Sequence, residues 1–127
     1  MIKTGNPQAW ITKAEADFEA ARTLARSRKK GLPDPVCYHS QQCAEKYLKA
    51  YLISRRVKFP KTHDLEKLLD LVCGFDPLAE ALRDQARFLN PYSVTARYPG
   101  DEATKPEAKK ALLMVSSVRK LLRERLE

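Results

Sequence analysis

The sequence predicts an all-α protein, an up-and-down bundle of four to five helices, of which three are long and two are short. Two observations support this fold class. Ala, Leu, Lys, Arg and Glu dominate the composition and only four glycines occur, a usage that favours helix. Apolar residues also recur at spacings of three and four along successive segments, whereas no segment alternates as an exposed strand does. We expect residues 1–127 to form a single domain.

The first two helices are both predicted to be long. Asn6 followed by Pro7 predicts a start, because asparagine caps a helix and proline suits its first position. The pattern of this helix ends at Gly31. The second helix is expected to begin near Pro35 and to stop at Pro60, with a broad apolar stripe between them.

Two shorter helices follow. Thr62 or Asp64 can cap the third helix, and Gly74 ends it. The fourth helix is predicted over residues 77–89, with Leu78 among the residues on its inner face. It closes before a proline, which disfavours the α conformation in the residue that precedes it.

The last helix has a clear start in the sequence. Thr104 can cap it, and Glu107 three residues later completes a capping box. Apolar residues then share one face from Ala108 to Leu122, so this third long helix is expected to pack on the core.

Charge and cysteine usage restrict the class of protein. The formal net charge is +8, with basic residues clustered around 22–30, 55–61 and 105–125. Such a surface attracts phosphates, although a lysine-rich helical protein can carry the same charges as a solvated surface. Three cysteines without a framework spacing argue against structural disulfides. With no signal peptide and no apolar run of about 20 residues, we expect a cytoplasmic location and no membrane span.

The start of the second helix is unusually polar. His39 and Gln42 lie in this patch, which is expected to be a hydrogen-bonding cluster at a subunit interface or part of a ligand pocket. Glu45 and Lys49, four residues apart, are expected to form an ion pair on the outer side. Cys37, His39 and Cys43 point in different directions on a helix, so no metal site and no cofactor are expected.

His63 permits two interpretations. A histidine at the start of a helix is commonly a participant in capping. Its position near Arg56 in a basic cluster also suits metal-independent cleavage of RNA by general acid–base chemistry.

The segment 91–101 is the longest stretch without a helical pattern, and it carries Tyr92, Arg97 and Tyr98. Arginine offers a planar fork for phosphate, and tyrosine can stack on a base. The alternative is that the tyrosines pack down to close one end of the bundle, while Arg97 pairs with a carboxylate such as Asp101. We favour the interpretation as a binding site.

Three segments together resemble the signature of HEPN domains (higher eukaryotes and prokaryotes nucleotide-binding). They read HSQQCAEKYLKA at 39–50, THDL at 62–65 and ARYP at 96–99, in the order of that family. The resemblance implies a helical bundle that forms a homodimer. It also implies a nucleotidyltransferase partner, often within a toxin–antitoxin pair.

Some HEPN proteins are metal-independent ribonucleases in which an arginine precedes a histidine by four to six intervening residues. Arg56 and His63 fit this spacing, but Pro60 separates them, and no histidine follows Arg97. The resemblance therefore favours a non-catalytic protein that binds a nucleotide or RNA. Its expected ligand-binding residues are Arg97, Tyr98, Tyr92, His39 and Gln42. The alternatives are a ribonuclease toxin that uses Arg56 and His63, and a protein-interaction module without a ligand.

Overall fold

The computed structural model describes residues 5–29, 32–94 and 98–127. These residues form five α-helices and two short 3₁₀ segments, and no β-strand occurs among them. The helices are α1 (Pro7–Ala25), α2 (Pro33–Ser54), α3 (Leu65–Cys73), α4 (Arg83–Leu89) and α5 (Lys105–Leu126); the 3₁₀ segments are Pro77–Leu82 and Asn90–Tyr92. The predicted all-α bundle with three long and two short helices is confirmed.

The capping residues read from the sequence begin the helices as expected. The Asn6 side chain accepts a hydrogen bond from the backbone N–H of Ala9 at 3.0 Å. Thr104 and Glu107 form both hydrogen bonds of a capping box at α5. Asp64, and not Thr62, caps α3 through the backbone N–H groups of the first turn. Each of these caps satisfies donors that a helix start leaves without a partner.

The bounds of the first two helices differ from the prediction. α1 ends at Ala25 because the backbone bonds of Arg26 and Ser27 turn the chain there. The Ser27 hydroxyl then accepts a hydrogen bond from the backbone N–H of Lys29. The predicted end at Gly31 lies outside the described residues. α2 begins at Pro33, two residues before the predicted Pro35.

α2 is the central element of the bundle. It packs against α1, α3 and α5, and residues on nearly all of its sides are buried. α1 runs antiparallel to α2, since Asp17 of α1 contacts Lys46 while Trp10 contacts Lys49 further along α2. Among the largest fully buried side chains are Tyr47, Tyr51, Phe59, Leu52, Leu65, Leu69, Leu89 and Leu122. Within the described residues, no helix is both long enough and apolar enough to span a membrane.

The segment before α4 differs from the prediction of one helix over 77–89. Pro77–Leu82 winds as a 3₁₀ helix with three residues per turn, so Ala79 and Leu82 share a face and are both buried. Leu78 is 74% exposed, and the prediction that it lies inside was wrong. The error follows from applying α-helical spacing to a segment that winds more tightly.

Candidate functional site

A chain of polar side chains crosses the middle of the bundle along one face of α2. Gln41, Glu45 and Lys49 lie one helical turn apart, and each is at most 3% exposed. The Lys49 ammonium lies 2.8 Å from Oε2 of Glu45, and Gln41 donates to Oε1 at 3.4 Å. Buried ions need such partners, because an unpaired charge in the interior is costly.

The prediction that Glu45 and Lys49 pair on the outer side was wrong about their position. They do form an ion pair, but both side chains are buried. The Lys49 ammonium lies 5.6 Å from the centroid of the Trp10 ring and 5.9 Å from that of Phe59. These two rings cover the charge on its apolar side and interact favourably with it.

His63 connects the buried chain to the surface. Its Nδ1 lies 2.9 Å from Oε1 of Glu45, and its backbone carbonyl accepts a hydrogen bond from Gln41 at 3.1 Å. A carboxylate can only accept, so Nδ1 carries the proton and Nε2 bears the lone pair in the neutral ring. The His63 side chain is 69% exposed. A buried carboxylate thus orients an imidazole that remains open to solvent.

A cavity of about 380 Å³ lies beside this imidazole and is lined by His63, Asp64, Asn90, Pro91 and Ser93. Asn90 links its two sides, because its amide donates to Asp64 at 2.9 Å while its oxygen accepts from the backbone N–H of Leu65 at 2.8 Å. The hydrogen bond from Asn90 lowers the pKa of Asp64, with the backbone N–H groups of α3 adding to the effect. The carboxylate is therefore held ionised as a cap and fixes the wall of the cavity.

The two tyrosines of the 91–101 segment differ in their exposure to solvent. Tyr92 is buried, and its hydroxyl donates to Oε2 of Glu107 at 2.6 Å. Tyr92 therefore fits the alternative interpretation, in which a tyrosine packs against the bundle and closes one end of it. Tyr98 is 83% exposed. Arg97 lies outside the described residues, so its predicted phosphate-binding role stays a prediction.

The structure separates the two predicted residues of the polar patch on α2. Gln42 donates to Oε1 of Gln41 at 2.7 Å and thereby joins the buried chain that leads to His63. His39 instead pairs through Nδ1 with Asp17 of α1 at 2.8 Å. Asp17 also accepts from Lys46 at 2.6 Å, so His39 belongs to a cluster between α1 and α2.

Arg56 has a local structural role at the end of α2. Its φ of 59° lies in the left-handed region. Its N–H bonds to the carbonyl of Ile53, and the N–H of Val57 bonds to that of Leu52, which together form a Schellman motif. Within the described residues, no hydrogen bond or ion pair joins the side chains of Arg56 and His63.

Two of the cysteines, Cys43 and Cys73, are not activated. Burial raises the pKa of the Cys43 thiol, and burial together with the Glu80 carboxylate raises that of Cys73. Neither is the low-pKa thiolate that nucleophilic catalysis needs. In the part of the chain that the structure describes, no group of three or more His, Cys, Asp or Glu side chains is arranged to hold a metal ion.

The fold and this geometry define a small helical-bundle protein with a buried polar chain beneath an exposed histidine. The model of the HEPN domain matches residues 7–125, nearly the whole chain. This chain belongs to the HEPN family.

Known proteins agree with that membership. The chain is 32% identical over 138 aligned residues to the protein named "Putative toxin MJ1304" from Methanocaldococcus jannaschii, an alignment that covers 93% of this chain and 86% of the relative. The solved structure of ST0689, described as an archaeal HEPN homologue, matches with a TM-score of 0.76 and 23% identity over 98% of this chain and 100% of that one. TT1696 from Thermus thermophilus matches with a TM-score of 0.72 and 24% identity, covering 93% and 96%. Both structures share the fold.

Sequence reasoning missed Gln41 and Glu45 as the residues that position His63. The pattern did contain an indication, since three polar residues recur at a spacing of four within a helix rich in apolar side chains. The pattern does not identify the partner, because residue 63 lies in the connection between α2 and α3 and only the tertiary packing brings it to Glu45.

Proposed function

We propose that this HEPN protein binds a nucleotide or RNA at the surface around His63 and Tyr98, without cleaving it. We further propose that it acts in the cytoplasm with a nucleotidyltransferase partner as the toxin of a toxin–antitoxin pair. The observation that carries the proposal is the exposed His63 imidazole, which the buried Glu45 holds beside a cavity. The cavity residues Asn90, Pro91 and Ser93 lie a few residues before the third signature segment in the chain.

The chemistry of the neighbouring residues suits a phosphate-containing ligand. An imidazole edge can hydrogen-bond to a phosphate oxygen, Arg97 offers a planar fork of donors, and the exposed Tyr98 ring can stack on a base. The net charge of +8 attracts polyanions from a distance. The similarity to a relative named as a toxin supports the biological setting.

Calorimetry with ATP and with a short single-stranded RNA tests the binding. We expect Arg97→Ala, His63→Gln and Tyr98→Ala each to weaken binding about tenfold, the effect of losing one good contact. Lys120→Ala is the control for charge, and Leu78→Ala is the control for an exposed apolar side chain. Unchanged affinity in all three site variants would overturn the site.

The toxin role is tested by growth and by assembly. Expression of the chain should arrest a bacterial host, and the Arg97→Ala variant should lose that effect. Light scattering should give the mass of a homodimer. A chain that co-purifies with a nucleotidyltransferase yet binds neither ATP nor RNA would instead favour a protein-interaction module without a ligand.

The Glu45–His63 pair specifically favours a second candidate, a metal-independent ribonuclease. A carboxylate on Nδ1 orients the ring and stabilises the imidazolium that forms when Nε2 accepts a proton, as general base catalysis requires. Arg56 would then stabilise the charge that develops on the phosphate.

Cleavage of single-stranded RNA in the presence of EDTA tests this candidate. Activity that is lost in His63→Gln would support it, and intact RNA would reject it. Arg56→Gly is the sharpest variant for the arginine, because glycine suits the left-handed backbone at this position. Full activity in that variant would exclude Arg56 from the mechanism.

A further inference from the structure

A second cavity lies at the opposite end of α2 from Arg56, where the end of α1 meets the first turns of α2 and α5. It measures about 410 Å³, within the range of roughly 300–1,000 Å³ typical of ligand sites. It shares no lining residue with the cavity beside His63. The two cavities are therefore separate surfaces of the bundle.

The floor of this cavity is aliphatic. It is formed by Leu24, Leu32, Pro33, Val36, Ala108 and Leu112. In the described part of the lining, no aromatic ring occurs and Ser27 is the one uncharged polar side chain. The Ser27 hydroxyl already accepts a hydrogen bond from the backbone of Lys29. The floor thus suits aliphatic side chains better than a nucleobase, which is held by stacking and by hydrogen bonds to its edge.

The rim of the cavity is entirely cationic. It carries Arg26, Arg28, Lys29, Lys105 and Lys109, and among the described residues no Asp or Glu lines the cavity. All five side chains are exposed, and none of them forms an ion pair within the described residues. The acidic residues next to the lining in sequence are engaged elsewhere: Asp34 accepts from the backbone N–H of Ala103, and Glu107 holds Tyr92 and Thr104.

We propose that this basic-rimmed cavity is a docking site for an acidic amphipathic helical segment of a partner protein. Leucine or isoleucine side chains of that segment enter the aliphatic floor, and flanking Asp or Glu side chains meet the five cations. Helix-in-groove recognition uses anchors at spacings of three and four, and charge complementarity sets its specificity. The aliphatic floor accepts the apolar anchors of such a segment, and the positively charged rim attracts its acidic side chains.

The test uses a fluorescein-labelled synthetic peptide of roughly 18 residues, long enough to be helical when bound. Its leucines recur at spacings of three and four, and glutamates occupy most other positions. We expect saturable binding to the full chain by fluorescence anisotropy. Binding should weaken about tenfold in Lys109→Glu and should remain unchanged in Lys120→Glu, the same charge reversal on the same helix away from the cavity.

Amide correlation NMR of the ¹⁵N-labelled chain gives a readout for each residue and confirms that each variant is folded. Peptide binding should shift the resonances of Leu24, Val36 and Leu112 and leave those around His63 in place. Three outcomes would overturn the proposal: no saturable binding, equal binding of a peptide with serine in place of leucine, or competition by ATP as strong as that by the unlabelled peptide.

Discussion

At the scale of single residues, the buried polar side chains of α2 hold one histidine in place. Gln41 holds the backbone of His63 while Glu45 holds its ring, and both are buried. Lys49 neutralises Glu45 from the next turn of α2. The exposed imidazole is thus held in one orientation by buried groups. This reduces the conformational entropy that it loses when a ligand binds.

Removing one member of the buried ion pair should be strongly destabilising. We expect Glu45→Ala to lower the free energy of unfolding by about 3 kcal/mol, because it leaves the Lys49 ammonium buried without a counter-ion. The double variant Glu45→Leu with Lys49→Met removes both charges and should recover most of that loss. Urea unfolding measures both. A loss below about 1 kcal/mol in Glu45→Ala would mean that Lys49 reaches solvent.

At the scale of elements, the short 3₁₀ segment Asn90–Tyr92 connects the starts of two helices. Asn90 ties it to the start of α3, and Tyr92 ties it to the first turn of α5 through Glu107. Glu107 also accepts from the backbone N–H of Thr104 in the capping box. The segment that precedes Arg97 is therefore anchored to two helix starts.

Tyr92→Phe tests whether this tyrosine is structural. The variant keeps the buried ring and loses only the hydroxyl that donates to Glu107, so stability should fall by about 1 kcal/mol in thermal or urea unfolding. Affinity for ATP or RNA should stay within about twofold of the unmodified chain. Ser117→Ala, which removes an exposed hydroxyl on α5, is the stability control. A large loss of affinity with normal stability would assign Tyr92 to the ligand.

Local information in the sequence predicted the helices well. It predicted the burial of individual residues and the winding of a short segment less well. Asn6, Asp64 and Thr104 start helices through bonds to residues close in sequence, so these starts could be read directly. The burial of Glu45 could not, since it depends on α3 and its preceding turn, which cover that face of α2. The 3₁₀ winding of Pro77–Leu82 was also missed, because apolar spacing alone does not distinguish it from an α-helix over so few residues.

The location of the candidate site stays a prediction. One of the family segments contains His63, but the contacts of the individual predicted residues depend on partners that are distant in sequence. Gln42 joins the buried chain through Gln41, whereas His39 pairs with Asp17 on α1. A residue type and its position on a helix do not reveal which of two clusters it joins, since that is decided by how the helices pack.

At the scale of the whole molecule, Glu15 connects the three long helices. Its carboxylate receives two hydrogen bonds of 2.7 Å from Arg119 of α5 and one from the Tyr47 hydroxyl of α2. The Arg119 guanidinium lowers the pKa of Glu15 to about 2, and the Tyr47 bond adds to this against the opposing effect of burial. In turn, burial and the bond to Glu15 raise the pKa of Tyr47 to about 12.

This linkage predicts a loss of stability in acid. A carboxyl whose pKa is lowered by folding stabilises the protein above its unfolded pKa of 4.5, and that contribution disappears as the pH falls from 4.5 towards 2. Since Glu15 is partly exposed, we expect a contribution of about 1–2 kcal/mol at neutral pH. Urea unfolding of the unmodified chain and of Glu15→Gln from pH 7 to pH 2 should give free energies of unfolding that differ at neutral pH and converge near pH 2. Glu19→Gln, which removes an exposed ion pair with Arg22 on the same helix, should show little difference at any pH. A constant offset between the unmodified chain and Glu15→Gln down to pH 2 would show that the charge on Glu15 does not join the helices.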